Sequence, residues 1–153
     1  MTDLRTEFDA LLGGGPIGEA WEIWPHRVED SLRMVTLIVI GTDRAADDDD
    51  PLPPGIIDRR GWWADVFNGI KIGTKLWILE QLPVTAESVR LAKDYVAEGM
   101  AWMAERGYVD ETIVETWRPP GTRGRLAMRV THVTRAGRLP VFETSDLWGG
   151  LRG

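Results

Sequence analysis

The chain is 153 residues long, contains no cysteine, and carries a formal net charge of −6 with a pI near 4.9. That length buries about two-thirds of the unfolded-state surface in one domain without a covalent staple, and the missing thiols exclude disulfides, thiolate zinc sites, iron–sulfur clusters and cysteine nucleophiles. The acidic balance opposes generic nucleic-acid binding, which draws its affinity from phosphate neutralisation, and no basic N-terminal region leads into an apolar stretch long enough to be a signal peptide or to span a bilayer.

A soluble single domain, residues 1–153, is therefore expected. Thr2 caps a short amphipathic helix with Leu4, Phe8, Leu11 and Leu12 on one face, and Gly13-Gly14-Gly15-Pro16 stops it. Residues 1–16 thus read as an N-terminal helical arm that docks on its own core or on a neighbour. Alternation of Trp21 and Ile23 against Ala20, Glu22 and Trp24 suits a short strand over 19–24, ended by Pro25. Over 28–42 the β-branched residues favour a strand, whereas Val28, Leu32, Val35 and Val39 share a helical face; a helix buried on most sides is predicted.

The run Asp47-Asp48-Asp49-Asp50 followed by Pro51-Leu52-Pro53-Pro54-Gly55 opposes regular structure through like-charge repulsion and proline. Four aspartates could hold calcium, but the glycine and distal glutamate of an EF-hand loop are missing, so a solvated acidic loop is expected. Next comes Asp58-Arg59-Arg60-Gly61-Trp62-Trp63-Ala64-Asp65. Adjacent indoles cannot share one apolar face of regular structure, and adjacent guanidinium groups fork onto carboxylates or carbonyls, so this stretch reads as a rigid junction whose tryptophans enter the core, a partner surface or both. Ile70, Ile72, Leu76, Ile78 and Leu79 around Trp77 are expected to bury in an extended or short helical stretch.

Thr85 caps a long helix over 86–106, with Glu87 in its first turn, Gly107 as its stop, and a core stripe of Val89, Ala92, Val96, Met100 and Met103 flanked by Leu91, Tyr95 and Trp102. A three-stranded meander follows at 112–117, 126–134 and 139–144, with turns at Pro119-Pro120-Gly121 and Ala136-Gly137. Leu126, Met128 and Val130 share its core face, and Arg129 and Thr131 its wet face. The predicted class is α+β: a small mixed or antiparallel sheet with a C-terminal three-stranded meander packed against two or three helices. Residues 118–138 hold Arg118, Arg123, Arg125, Arg129, Arg135 and Arg138 and no acid. Pairing with the chain's own acids, such as Asp47 to Asp50, or solvation ranks first, a protein partner second and nucleic acid third.

Catalytic machinery is not written in the sequence. His26 and His132 sit in no metal-ligand spacing, and neither a nucleophile elbow nor a phosphate loop is present. Asp58 with Asp65, or Glu111 with Glu115, could be proposed as a hydrolytic acid pair, but in so acidic a chain a chance pair is the default. No metal and no cofactor is expected.

Leu37-Ile38-Val39-Ile40-Gly41-Thr42-Asp43-Arg44-Ala45, Asp50-Pro51-Leu52-Pro53, Asp58 to Asp65, and Gly73-Thr74-Lys75-Leu76-Trp77 together resemble the Mu-like phage tail protein forty-six family. The resemblance runs from Asp30 to Phe142, and Arg-Arg-Gly-Trp-Trp with the later Leu-Trp is its specific part. It implies a non-enzymatic baseplate wedge protein of a contractile tail, related to sheath-initiator proteins. Such a protein would be assembled in the host bacterial cytoplasm and placed in several copies, six by the resemblance, around the tail axis in the virion.

The implied partners are the tail sheath protein, whose arm adds as a strand to an edge of the meander, other wedge proteins, and the central spike or hub and tube proteins, with no membrane and no nucleic acid. The candidate protein-interface residues are Arg59, Arg60, Trp62, Trp63, Asp65, Lys75, Trp77, Arg125 and Arg129. Thr131 and Val141 are taken as edge positions. The distant relatives carry a Glu-Pro-Arg triplet after the long helix, where this chain has Ala104-Glu105-Arg106-Gly107-Tyr108. A small lysozyme-like hydrolase is the alternative reading, and a nucleic-acid-binding module the third.

Overall fold

The computed structural model describes residues 28–61, 65 and 71–148. The expected arm at 1–16, the strand at 19–24, Trp62, Trp63 and Ile70 lie outside the described residues. The first described element is helix α1, Val28–Gly41, which opens on Glu29 and Asp30. Acids suit the positive end of the helix dipole. Leu32, Val35, Thr36, Val39 and Ile40 form its buried face. The helical period wins over β-propensity here because it gathers these side chains on one side. Burial on most sides is corrected: Met34, Leu37 and Ile38 are 43%, 51% and 50% exposed on the opposite side. Apolar side chains lie on both sides of the helix from Met34 onward, but among the described residues only one side is packed.

After Gly41 the chain makes a parallel bridge between Asp43 and Thr74. Arg44 N–H donates to Thr74 O at 3.0 Å, and Thr74 N–H donates to Thr42 O at 3.0 Å. Gly73 makes this approach possible: it sits at φ +104, and a Cβ there would fall 2.3 Å from the Thr42 carbonyl oxygen. A single 3-10 turn, Lys75–Ile78, then sinks into the core with Leu76, Trp77, Ile78 and the following Leu79 buried, as the apolar stretch predicts.

Helix α2, Ala86–Glu105, begins at Thr85, whose hydroxyl accepts from Ser88 N–H while the Ser88 side chain bonds back to the cap. It ends at Arg106 and Gly107, the latter at φ +78. Ala92, Val96, Met100 and Met103 are fully buried, and Val89 is half-buried at the margin of the stripe. Full burial stabilises each larger side chain by about 1.5–3 kcal/mol.

The sheet is an antiparallel meander of β1 (Glu111–Trp117), β2 (Ala127–Thr134) and β3 (Gly137–Thr144), in that spatial order. Helix α2 packs over β1 and α1 over β3. Residues 128, 130 and 132 of β2 face the core, and Arg129 faces outward beside Glu115 and Glu143 in register. Val130 pairs with Phe142 but Thr131 pairs with Pro140, so Val141 is an extra residue, a bulge in β3. Thr131 therefore lies on the central strand, not an edge, because β2 is paired on both sides.

His132 is buried between the helix layer and the sheet. Thr36 Oγ1 gives its proton to Leu32 O at 2.7 Å, so it accepts from His132 Nε2–H at 2.9 Å. The ring's Nδ1 then accepts from the Thr112 hydroxyl at 2.9 Å. Burial pushes the imidazole down to about 4, and the neutral ring joins α1, β1 and β2 with both nitrogens satisfied.

Candidate functional site

The residues flanking the parallel bridge converge on one charged node. Lys75 is only 5% exposed. Its ammonium donates to Asp50 at 2.9 Å, to Asp47 at 3.0 Å and to Glu98 of α2 at 3.2 Å, and lies 5.2 Å from the centre of the Tyr95 ring. Burial works against the charge, and the three carboxylates more than offset it, so the ammonium is held above its usual range. Lys75 and then Lys71 in turn hold the Asp47 carboxyl below its usual value.

Around this lysine the loop closes on itself. The Asp50 carboxylate accepts from Asp47 N–H at 2.6 Å, and Lys71 pairs with Asp47 at 3.2 Å. Arg59 donates to the carbonyls of Asp47 and Asp48, and Ala46 N–H donates to Arg59 O at 2.9 Å. Arg44 reaches Glu98 at 3.6 Å and Lys71 O at 3.1 Å. The expected solvated loop is thus corrected in part: Asp47 and Asp50 turn inward to a buried cation, and Asp48 and Asp49 face water. Desolvated Lys75 needs compensation, and only a chain segment dense in acid supplies it from one side.

The Arg-Arg-Gly stretch forms a corner over Trp77. Asp58 accepts from Arg60 N–H at 2.9 Å, Arg60 takes the left-handed conformation at φ +55, and its guanidinium pairs with Asp43 and stacks 4.7 Å from the Trp77 ring centre. Trp77 itself is buried and donates to Arg44 O at 2.8 Å. Gly61, at φ +117, would place a Cβ 2.9 Å from Ala45 Cβ. Asp65 accepts from Ile72 N–H at 3.0 Å, tying the far side of the corner to the start of the buried stretch.

Among the sequence-predicted residues, Arg59, Arg60, Asp65, Lys75 and Trp77 are therefore brought together. Lys75 and Trp77 are inside the fold, and Arg60 is at its surface. Arg125 and Arg129 lie elsewhere. Arg129 bonds Glu143 through two nitrogens at 3.1 Å, reaches Glu115 at 3.6 Å and lies 5.7 Å from the Trp117 ring centre. Arg125 pairs with Asp146 at 3.7 Å. Own-chain pairing holds for these two arginines, but their acids are Asp146, Glu143 and Glu115 rather than Asp47 to Asp50, of which Lys75 engages Asp47 and Asp50.

Sequence reasoning missed Asp43 and Glu98, whose roles depend on which elements meet, and Ile57, which projects almost wholly into water on the loop that carries Arg59. As for acid–base chemistry, Glu111 and Glu115 are four residues apart on one strand, about 13 Å along it, beyond the separation of glycosidase carboxylates. Among the described residues no three His, Asp or Glu side chains gather to hold a metal ion, and no helix is long and apolar enough to cross a membrane.

Comparison with known proteins places the chain in a family. The model of a family described as phage protein GP46 matches residues 32–139, a span that holds the bridge, the node and most of the sheet. The baseplate protein gp46 of Escherichia phage Mu is 40% identical over 81 residues, which cover 53% of this chain and 56% of that protein. The matched stretch thus spans little more than half of that relative's length.

Proposed function

Because the chain belongs to the phage protein GP46 family, we propose that it is a structural, non-catalytic subunit of a phage tail baseplate. In finer terms it is a wedge component of a contractile tail, held in several copies, six on the family's pattern, around the tail axis. Its neighbours in this reading are the tail sheath, other wedge proteins and the central spike or hub and tube. An arm of the sheath adds as a strand to its sheet and so starts sheath assembly.

The observation that supports this reading most directly is the form of the sheet. Among the described residues both outer strands lack a second neighbour, but they are not equivalent. β3 contains Pro140, which has no N–H to offer, and the Val141 bulge, which bends and twists the strand. β1 pairs in unbroken register from Glu111 to Trp117 and contains neither device. We therefore assign strand addition to β1. The corner bearing Ile57, Arg60 and Asp65, together with Trp62 and Trp63, is assigned to a wedge neighbour. Arg59, Lys75 and Trp77 shape that surface from beneath.

The absence of cysteine allows a direct test. A single Glu115→Cys on β1, mixed with sheath protein carrying one cysteine in its arm, should form a disulfide, because directly opposed Cβ atoms on paired strands lie about 5 Å apart. Glu143→Cys on β3 should not. Crosslinking at β3 alone would reverse the edge assignment, and normal sheath assembly with no crosslink at either strand would end the strand-addition reading.

A further inference from the structure

The outward face of α1 is unlike an ordinary wet helix face. Met34, Leu37 and Ile38 lie on adjacent turns and each is about half exposed, in the middle of a helix whose opposite face is already packed. Gly41 continues the same stripe, and a Cβ there would meet nothing within 4 Å, so a second helix could approach closely. Asp30 lies at the other end of the stripe and Arg33 stands exposed at its margin. We propose that this face is the seat of the chain's own N-terminal arm, residues 2–12, packed alongside α1.

Pattern, charge and reach all point to this occupant. Leu4, Phe8, Leu11 and Leu12 repeat at i, i+4, i+7 and i+8, a spacing that as a helix would give an apolar stripe about 12 Å long, against about 10 Å from Met34 to Gly41 at 1.5 Å per residue. The arm carries Glu7 and Asp9, which can face Arg33, and Arg5, which can face Asp30. Residues 13–27 connect the arm to Val28, the first residue of the helix that bears the face. Fifteen residues reach as far as about 50 Å, and two packed helices need an interaxial distance of only about 8–10 Å. The Gly13-Gly14-Gly15 run permits the reversal that such a return demands. A tethered segment also acts at a high effective concentration, which favours it over a free partner of equal affinity.

The test uses the full chain with one reporter thiol at a time. Leu37→Cys should be alkylated by iodoacetamide at least about tenfold more slowly than Ala101→Cys on the exposed face of α2, since only the undocked fraction reacts. Adding Phe8→Asp should restore the rate at Leu37→Cys while leaving Ala101→Cys unchanged, and the protection should not vary with protein concentration. Alkylation of Leu37→Cys as fast as Ala101→Cys would overturn the proposal. So would protection that survives Phe8→Asp. Protection that fades on dilution would assign the face to a second copy and overturn it equally.

Discussion

Replacing Lys75 by methionine removes the ammonium, keeps an unbranched apolar stem in the same space, and leaves three carboxylates without their common partner. The magnitude follows from their exposure: the Asp50 side chain is 12% exposed, against 42% for Asp47 and 35% for Glu98. Stranding one partner of a buried pair costs about 3–5 kcal/mol, and an exposed pair is worth roughly 0–1 kcal/mol after screening. Asp50 therefore dominates, and methionine packing offsets part of the loss, giving a net destabilisation of about 2–4 kcal/mol. For a chain of this size that is a fall of roughly 5–15 °C in Tm, read by circular dichroism at 222 nm.

The pH profile gives an independent readout. Asp47 is held below its usual value by Lys75 and Lys71, so its contribution is present above the unfolded value near 3.9 and is lost as pH falls through the lower folded value. Lys75→Met should flatten that acid limb. Lys75 has a raised folded value, so its contribution is complete below about 10.4 and is lost only as pH rises through the higher folded value. Adding Asp50→Asn to Lys75→Met should recover about half of the lost stability. A variant that melts within about 2 °C of the parent, with an unchanged acid limb, would refute the view that this lysine organises the loop.

Gly73→Ala forces a Cβ against the Thr42 carbonyl at a positive φ, and should destabilise by about 2–4 kcal/mol in urea titration, whereas Gly124→Ala, which meets open space, should change little. His132 has its folded value pushed down to about 4 from an unfolded value near 6.5. Its contribution is present above pH 6.5 and declines as pH falls toward 4, a slope of about 2–3 kcal/mol in total that His132→Gln should remove in melts across that window. Arg59→Ala frees the carbonyls of Asp47 and Asp48, and should lower stability by about 1–2 kcal/mol and speed amide exchange in the acidic loop. Tails carrying Arg60→Ala should assemble poorly although the purified protein keeps near-parental melting; normal assembly in infectious tails would remove the corner from the interface.

Features set by neighbours in the chain were legible in the sequence, and those set by distant meetings were not. The long helix was readable to within a residue because Thr85, Glu87, Gly107 and the Val96-Met100-Met103 stripe are local instructions. The three strands of the meander were readable from turns and alternation, but β3 begins at Gly137 rather than 139, the turn falls at 135–136, and Thr131, expected on the wet face, is buried because alternation does not show what covers the second face. For α1 the helical period was legible but the extent of burial was not, since apolarity does not say which side receives a cover. Lys75 looks like any lysine between Thr74 and Leu76. Its burial depends on Asp47 and Asp50, more than twenty residues back, and on Glu98, more than twenty ahead. The acids for Arg129 became visible only once register set Glu115 and Glu143 on either side of it.

The bulge at Val141 and the proline beside it have a consequence for how far association can run. A sheet with two equally receptive margins is a template at both ends, and copies of it can polymerise without limit. Here one margin is spoiled and the other regular, so copies cannot grow through both margins alike. Under the strand-addition proposal made above, each copy takes an arm on one side alone, and the number of copies then sets the number of arms.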